Sequence, residues 1–263
     1  MAMMPNERNP ASFKHLILLS KNDTSHGKEL TREEEQIFSK MVRDAKKKEA
    51  MSWCEHKVFD TVTKEKAVIK PQGSRWVLTW RIKYDSTGKI EWGVKARLVV
   101  QGFSDRQGES VLTRSPTAAR TAQRLLVSTC VLYDFLLSSI DISTAFLQGF
   151  ELENMTTADG EQRKACMRPP DDFWEFCSQE ELDKATRLAG NENWVWKTLV
   201  WNLLKPAYGL KDAPLLWILN LTKFLKEMTI EHSINNQTHK LKWMTSVFDE
   251  STFYLRNLLQ MIY

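Results

Sequence analysis

Cysteine is scarce in this sequence, and no two cysteines are spaced as a C-x-x-C pair. The four thiols among 263 residues are scattered, and only Cys54 lies near a histidine, His56. This pattern favours free thiols in a reducing compartment over a disulfide framework or a structural zinc site. Long apolar runs are also missing, since residues 16–19 give only four apolar residues near the N-terminus. The sequence therefore predicts an intracellular protein with no signal peptide and no membrane span.

Charge is nearly balanced overall but uneven along the chain. The composition, 42% apolar and 27% charged, is that of an average globular protein with a sizeable core in one large or two modest domains. Residues 64–106 carry ten Lys or Arg and four acids, whereas residues 151–185 carry ten acids and four bases. The net charge of +4 alone does not predict a nucleic-acid partner. A basic region nevertheless precedes, and an acidic region follows, the stretch 138–149.

The N-terminal part of the chain predicts a lead-in followed by a helix. Residues 1–28 are polar and aperiodic, which predicts a disordered lead-in. Thr31 and Glu34 have capping-box spacing, and apolar residues recur at helical period from Ile37 to Ala45. We expect a helix over roughly residues 31–51.

Two alternating runs predict a β-hairpin over residues 75–100. Apolar and polar residues alternate from Arg75 to Tyr84, and again from Ile90 after the turn sequence D-S-T-G-K. One face carries tryptophans and aliphatic residues. The other face carries five bases: Arg75, Arg81, Lys83, Lys95 and Arg97. We expect the apolar face to be buried and the basic face to be exposed.

The stretch S-S-I-D-I-S-T-A-F-L-Q-G, residues 138–149, places a single acid after an apolar run. The run from Phe135 through Ile140 predicts a buried strand whose end presents the Asp141 carboxylate to a cavity. The same pattern fits Asp141 as the cap of a short helix that begins near Ala145. The local sequence leaves both interpretations open.

The rest of the chain predicts further helices and short strands. Residues 118–133 predict a helix packed on the core. The sequence P-P-D-D-F-W at 169–174 predicts an extended, solvent-exposed turn, with a metal site at Asp171 and Asp172 as the alternative. Asp212 is the expected N-cap of a helix with Pro214 in its first turn. The remaining expectations are a strand at 195–201, a polar linker at 231–239 and one or two strands within 242–253. Together these elements predict an α+β fold.

Five motifs in order resemble those of copia-type retrotransposon reverse transcriptases. They are K-A-R-L-V-V-Q-G-F at 95–103, S-P-T at 115–117, D-I-S-T-A-F-L-Q-G at 141–149, R-P-P-D-D-F at 168–173 and Y-G-L-K-D-A-P-L-L-W at 208–217. The hairpin sequence is similar to this family as well, so the resemblance covers roughly residues 47–255.

The resemblance implies a partial right-hand polymerase. Residues 29–134 would form a helix and a fingers-like region that contains the hairpin. Residues 135–263 would form an incomplete palm-like region with an acidic insertion at 151–190. The implied cofactor is Mg²⁺, and the implied partners are an RNA or DNA template-primer and deoxynucleotide triphosphates.

The resemblance also implies roles for individual residues. Asp141 matches the first metal-binding aspartate of the palm and would be the catalytic residue. Phe146 matches a steric gate that excludes a ribose 2′-hydroxyl, with a core phenylalanine as the alternative. Basic side chains can meet the phosphate oxygens of a triphosphate. The implied nucleotide contacts are Lys95, Arg97, Phe146, Gly209 and Lys211. The basic face of the hairpin, and not the resemblance, makes Arg75, Arg81 and Lys83 the candidate nucleic-acid contacts.

One expected motif is missing. In this family an aromatic-x-Asp-Asp hairpin follows a segment like D-E-S-T-F at 249–253, but here that segment is followed by Y-L-R-N-L-L-Q-M-I-Y. Two of three metal-binding aspartates are therefore not found, and Asp171 and Asp172 belong to a different motif. Because carboxylates must hold both ions of a two-metal site, we expect this polypeptide alone to have no polymerase activity.

Three functional hypotheses follow. The first is an inactive fragment of a retrotransposon RNA-directed DNA polymerase. The second is a non-catalytic remnant that binds nucleic acid through the basic hairpin face, with an affinity that falls as salt rises. The third is a pseudogene product without a selected function, for which we expect exposed apolar surface where palm strands should pair. The sequence does not determine the oligomeric state.

Overall fold

The computed structural model describes residues 27–84, 87, 90–190, 195–234 and 237–257. Most of the predicted lead-in and all of the predicted turn at 85–89 except Thr87 lie outside the described residues. The chain divides into two compact units. The first contains the described residues up to 105 together with 164–204, and the second contains 106–163 together with the described residues from 205 onward.

The fold is mixed α/β with small sheets. In the described residues the α-helices are α1 (Arg32–Ile37), α2 (Ser39–Glu55), α3 (Arg120–Leu132), α4 (Gln179–Ala189) and α5 (Ala213–Glu227). The strands are β1 (Phe59–Thr63), β2 (Ser74–Tyr84), β3 (Ile90–Val100), β4 (Cys166–Met167), β5 (Leu199–Leu203), β6 (Thr229–Ile234), β7 (Gln237–Thr245) and β8 (Phe253–Asn257). Their sheets have the orders β1-β5-β4, β2-β3 and β6-β7-β8.

The alternating runs form the predicted hairpin in the first unit. Strands β2 and β3 pair antiparallel from Ser74 opposite Val100 to Tyr84 opposite Ile90. Their apolar face is buried, as the period of two requires. Its buried members are Leu78, Trp80, Ala96, Leu98 and Val100.

Helices α1 and α2 replace the single helix predicted at 31–51. Thr31 and Glu34 form the predicted capping box, in which the Glu34 amide donates to Thr31 and the Thr31 amide donates to Glu34. The helix breaks at Phe38, whose ring packs edge-on against Trp80 with centroids 5.1 Å apart. The break and this ring contact coincide at Phe38, and the local sequence pattern predicts neither.

Both edges of the hairpin are covered. Along β2, the Gly27 amide donates to the Trp80 carbonyl at 2.9 Å and the Leu30 amide donates to the Leu78 carbonyl at 2.8 Å. Along β3, the Leu98 amide donates to the Glu49 carboxylate of α2 at 3.3 Å. These contacts satisfy backbone groups that would otherwise be open at a two-stranded sheet's edges.

The core of the first unit is an aromatic cluster around Trp201. Phe59 of β1 stacks on Trp201 of β5 with centroids 3.9 Å apart, and Phe173 meets Trp201 edge-on at 4.5 Å. Trp53 of α2 lies 5.9 Å from the same ring. Strand β5 starts at residue 199, after a 3-10 turn at 195–198, rather than at the predicted residue 195.

The sequence P-P-D-D-F-W is not the solvent-exposed turn that we predicted. Residues 171–175 form a 3-10 helix whose Phe173 and Trp174 are buried. The Asp172 carboxylate accepts hydrogen bonds from Lys46 Nζ at 2.6 Å and from Trp76 Nε1 at 2.8 Å. This carboxylate therefore links α2 and β2. The sequence does not indicate this role, because the adjacent prolines predict an exposed turn.

The second unit contains α5 and the sheet β6-β7-β8. Strand β6 occupies part of the segment that we predicted to be a polar linker, because its backbone pairs with β7 from Thr229 opposite Lys242 to Ile234 opposite Gln237. Its polar side chains are those of an exposed strand. Leu147, Leu152, Leu210 and Leu216 form buried positions of this unit.

The predicted buried strand before Asp141 is wrong. Residues 135–142 have no regular structure, and Leu136 is 97% exposed. Helix α3 forms where we predicted a helix, but it contains no buried residue and so does not pack on a core. The apolar pattern predicts that these residues are buried, but no described part of the chain covers them.

The four cysteines are free, as the sequence predicts. Burial raises the pKa of the Cys166 and Cys177 thiols to about 12. Thiols with such pKa values are poor nucleophiles at neutral pH. None of the described helices combines the length and the apolar character needed to cross a membrane.

Candidate functional site

Two of the motifs meet in the second unit. Residues 145–148 form a short 3-10 helix, and the ring of Phe146 lies 5.4 Å from the ring of Tyr208. A Cβ atom on Gly149 would come within 2.3 Å of Pro206, so only glycine fits this contact. The motif at 141–149 is thereby packed against the turn that carries Gly209 and Lys211.

Hydrogen bonds to helix α5 hold this arrangement in place. The Phe150 amide donates to the Leu216 carbonyl at 3.0 Å, and Asn220 Nδ2 donates to the Gln148 carbonyl at 2.6 Å. The S-P-T motif also reaches this helix, since Ser115 Oγ donates to the Pro214 carbonyl at 3.2 Å. Three motifs that are far apart in sequence therefore share one helix as their support.

The turn before α5 exposes Gly209 and Lys211 to solvent. Gly209 has a φ of +97°, a conformation that glycine adopts without strain. Gly209 and Lys211 are exposed, whereas the neighbouring Leu210 and Asp212 are buried. Because Lys211 is exposed, its ammonium can approach a ligand. The buried Leu210 and Asp212 anchor the turn.

Asp212 anchors the turn through a buried ion pair with Arg163. Arg163 Nε donates to Asp212 Oδ2 at 2.7 Å and Nη2 donates to Oδ1 at 3.2 Å, which is a two-point contact. The two side chains are 1% and 5% exposed. Asp212 is the residue before α5, as predicted, but its carboxylate makes no capping bond to the helix.

Asp141 lies outside this packed region. It is exposed and belongs to the irregular segment that precedes the 3-10 helix. The cap position of that helix is Thr144, so the interpretation of Asp141 as a helix cap is also wrong. Within the described residues no three His, Cys, Asp or Glu side chains are grouped so that they could hold a metal ion. A single exposed carboxylate does not fit a two-metal site, which needs several carboxylates.

The basic residues of the hairpin lie in the first unit. Arg75 and Arg81 are exposed, and Lys95 and Arg97 are half-buried. In the strand register, Lys95 lies opposite Thr79 and Arg97 lies opposite Val77, so like charges are never directly paired. Arg75 forms an exposed ion pair with Glu29 at 2.9 Å. The side chain of Lys83 lies outside the described residues.

A buried carboxylate lies beside this basic strand. Glu49 of α2 accepts hydrogen bonds from Trp53 Nε1 at 3.1 Å and from the Leu98 amide. Burial raises its pKa above the ordinary value of 4.5, although both hydrogen bonds and the charges of Lys95 and Arg97 oppose the shift. Sequence reasoning missed this residue. Its position seven residues after the buried Val42, on the same face of the helix, was the available signal.

An exposed apolar surface extends through α3 and residues 133–142, which we call the apolar arm. The third hypothesis expects exposed apolar surface where palm strands should pair, and that location stays a prediction. The rings of Tyr133 and Phe135 stack with centroids 5.7 Å apart. The large apolar side chains of the arm that are between 40% and 97% exposed are Leu125, Leu126, Val127, Val131, Leu132, Tyr133, Phe135, Leu136, Leu137, Ile140 and Ile142.

The structure thus collects the predicted residues into two groups. Phe146, Gly209 and Lys211 come together in the second unit, and Arg75, Arg81, Lys95 and Arg97 share one face of the hairpin in the first. Asp141 joins neither group by a direct contact that we can describe. The Arg163–Asp212 pair was missed because nothing local marks Arg163, which lies 49 residues away from its partner.

Residues 56–158 match the family profile described as reverse transcriptase (RNA-dependent DNA polymerase). This segment contains the hairpin, the basic face and the motif at 141–149. This part of the chain is therefore similar to reverse transcriptases.

The related proteins are Pol polyproteins of plant transposons. The chain is 29% identical over 165 residues to the retrovirus-related Pol polyprotein from transposon RE1 of Arabidopsis thaliana, covering 62% of this chain and 9% of that protein. It is 29% identical over 163 residues to the corresponding polyprotein from transposon TNT 1-94 of Nicotiana tabacum, covering 61% and 10%. It is 27% identical over 165 residues to that of transposon RE2 of Arabidopsis thaliana.

The profile match and these relatives support a reverse transcriptase fragment of a copia-type retrotransposon. The chain matches about a tenth of the length of the relatives RE1 and TNT 1-94. No solved structure matches it at a significant level. Reverse transcriptases as a family act on nucleic-acid templates and nucleotides and use divalent metal ions.

Proposed function

We propose that this chain forms the fingers and an incomplete palm of a retrotransposon RNA-directed DNA polymerase, and that it binds template-primer without extending it. The observation that carries the proposal is the basic hairpin face at 75–100, which lies inside the matched segment 56–158. Its opposite face is buried, so the orientation of the cations is fixed by the core rather than by flexible loops.

The hairpin face suits phosphate oxygens. Arg97 and Lys95 project from the same side of β3, about 7 Å apart along the strand. A guanidinium can hold a phosphate at two points, and an ammonium adds a compact charge. We assign Lys95 and Arg97 to the triphosphate because they match the fingers bases of the family. We assign Arg75, Arg81 and Lys83 to the nucleic-acid backbone because they lie on the basic hairpin face.

The second unit supports the nucleotide contacts. The Phe146 ring rests against Tyr208, and exposed Gly209 and Lys211 follow in the same turn. A rigid ring at this position can exclude a ribose 2′-hydroxyl by its volume. The role of Asp141 as first metal-binding aspartate, with Mg²⁺ as the ion, follows from the motif alone.

Binding is tested by fluorescence anisotropy of a labelled template-primer at increasing salt. We expect the affinity to fall steeply, because phosphate contacts release counterions. Arg81→Ala, at an exposed position of the hairpin face, should weaken binding and reduce the slope of log K against log salt by about one. Lys40→Ala, an exposed cation of α2 outside the hairpin face, is the matched control and should change neither.

Two results contradict the binding part of the proposal. One is an affinity that does not depend on salt. The other is an equal loss of affinity in Arg81→Ala and Lys40→Ala, which would show that the hairpin face has no special role.

Catalysis is tested separately by primer extension with purified chain, Mg²⁺ and deoxynucleotides. We expect no extension above background, because the Asp141 carboxylate has no cluster of further ligands in the described residues. Extension that Asp141→Asn abolishes would overturn this part of the proposal and assign an active enzyme.

A second candidate is a nucleic-acid-binding remnant with no polymerase role. The exposure of Asp141 and the uncovered apolar arm favour it. Nucleotide binding discriminates between the two: quenching of tryptophan fluorescence by a deoxynucleotide triphosphate, lost in Lys95→Ala, supports the polymerase part. Template binding without any nucleotide binding supports the remnant.

A further inference from the structure

One face of the sheet β6-β7-β8 is open to solvent, and the proposed function does not use it. Alternate residues of a strand share a face, so Leu241 and Trp243 lie on one face of β7, the strand on which α5 packs. The opposite face, which we call the open sheet face, consists of alternate residues within 229–233, 238–244 and 254–256. Its members Lys242 and Met244 are half-buried, and the others are exposed.

The open sheet face is positively charged. It carries Lys240, Lys242 and Arg256 and, among the described residues, one carboxylate, that of Glu231. Glu231 lies opposite Lys240, and its carboxylate is 3.5 Å from Lys240 Nζ. The two side chains are 62% and 63% exposed, so water and salt screen this pair strongly. The face therefore offers its cations to an anionic partner.

Two of these cations face each other across the strands. Lys242 lies directly opposite Arg256 in the register of β7 and β8. Side chains in this relation have Cβ atoms roughly 4.5–5.5 Å apart, and like charges there are destabilising. Neither side chain forms an ion pair within the part of the chain that the structure describes. An anion bound between them would relieve the repulsion, and a guanidinium beside an ammonium suits phosphate oxygens.

An aromatic ring lies next to this pair. Tyr254 is two residues before Arg256 on the same face, opposite Met244, and is 45% exposed. Surfaces that bind single strands combine cations along the backbone with aromatic rings on which bases stack. The bases of a duplex are already stacked on one another, so an exposed ring favours an unpaired strand. An acidic peptide could use the cations, but it has no base for the ring.

We propose that the open sheet face binds single-stranded nucleic acid, with Lys242 and Arg256 holding one phosphate group and Tyr254 stacking on a neighbouring base. The surface lies outside residues 56–158, the segment that matches the reverse transcriptase profile. The proposal rests on the sheet alone and does not depend on the hairpin face.

Photo-crosslinking of the full chain to a single-stranded oligonucleotide that contains iododeoxyuridine tests where the strand lies. After digestion and mass spectrometry we expect a crosslink at Tyr254. In Arg81→Ala, whose substitution alters the hairpin face, this crosslink should remain even where the total affinity falls. A failure of the hairpin proposal is thereby distinguished from a failure of this one.

Fluorescence anisotropy of the same oligonucleotide tests the contacts. Lys242→Ala combined with Arg256→Ala should weaken binding about tenfold or more, because charge-assisted hydrogen bonds to one phosphate are lost. The slope of log K against log salt should fall by about one. Tyr254→Ala should weaken binding about tenfold, whereas Tyr254→Phe keeps the ring and should bind like the wild type.

Two controls separate these effects from unfolding and from charge in general. Removing Lys242 and Arg256 eliminates a like-charge pair, so the thermal stability of the free chain should not fall. Lys226→Ala, at an exposed cation of α5 in the same unit, should leave both the affinity and the slope unchanged.

Any of three outcomes overturns the proposal. The first is the absence of crosslinks within residues 229–257. The second is an equal loss of affinity in Lys226→Ala and in the double variant, which would mean that the opposed pair has no special role. The third is displacement of the oligonucleotide by polyglutamate as effective as by unlabelled oligonucleotide, together with an unchanged affinity in Tyr254→Ala. That result would assign the face to acidic peptides.

Discussion

Replacing Asp212 by Asn removes the negative charge that faces the Arg163 guanidinium, whose side chain is 1% exposed. The shape of the side chain is nearly unchanged, and one oxygen acceptor remains. Because Asp212 makes no capping bond to α5, the substitution costs the helix no cap. The perturbation is therefore confined to the buried ion pair and the turn that it anchors.

The expected loss is about 3–5 kcal/mol in the free energy of unfolding, the usual cost of leaving one buried charge without its partner. The pair itself contributes much less than this loss, because desolvation of both ions offsets most of their attraction. Arg163→Met together with Asp212→Leu should therefore lie within about 1–2 kcal/mol of the wild type. The apolar neighbours Val111, Leu112, Met155, Leu215 and Leu216 line a small cavity beside the pair, which favours this replacement.

Urea denaturation followed by circular dichroism measures both effects. Arg163→Met, Asp212→Leu, their double variant and the wild type form a cycle whose coupling energy should exceed about 2 kcal/mol. A loss below about 1 kcal/mol in Asp212→Asn would mean that the pair behaves like a hydrated surface pair. A double variant no more stable than Asp212→Asn would refute the argument that desolvation offsets attraction.

Three further predictions concern other buried positions. Burial raises the pKa of Glu49, so the folded state keeps this proton to a higher pH than the unfolded state does. The free energy of unfolding that this proton contributes is fully present in acid, and it is lost as the pH rises above 4.5 through the folded pKa. Glu49→Gln should flatten that decline in thermal melts recorded from acid to neutral pH, and an unchanged profile would contradict the assignment. Trp201→Ala should cost about 3–5 kcal/mol in urea denaturation, because four aromatic rings lose their common neighbour, whereas truncation of half-buried Trp92 should cost less. Gly149→Ala should cost about 1–3 kcal/mol because its Cβ meets Pro206, and adding Pro206→Ala should recover part of the loss; equal stability of the single and double variants would exclude this clash as the cause.

Local features of the structure follow from local sequence patterns. The period of two fixes which residues of β2 and β3 are buried, since a shift of one residue would reverse the faces. The capping box at Thr31 and the position of Asp212 before α5 are also encoded within a few residues. The ordered motifs that resemble those of reverse transcriptases are short-range information of the same kind.

Other features depend on contacts between distant residues. Phe38, at which the helical pattern is interrupted, packs its ring on Trp80, and the half-buried Asp172 carboxylate accepts hydrogen bonds from Lys46 and Trp76. The apolar run before Asp141 predicts burial, but burial requires a covering surface, and no described part of the chain provides one. The sequence by itself determined the hairpin, its basic face and the polymerase motifs. The tertiary structure alone decided which carboxylates are buried and that the apolar arm is exposed, because burial depends on which distant residues pack together.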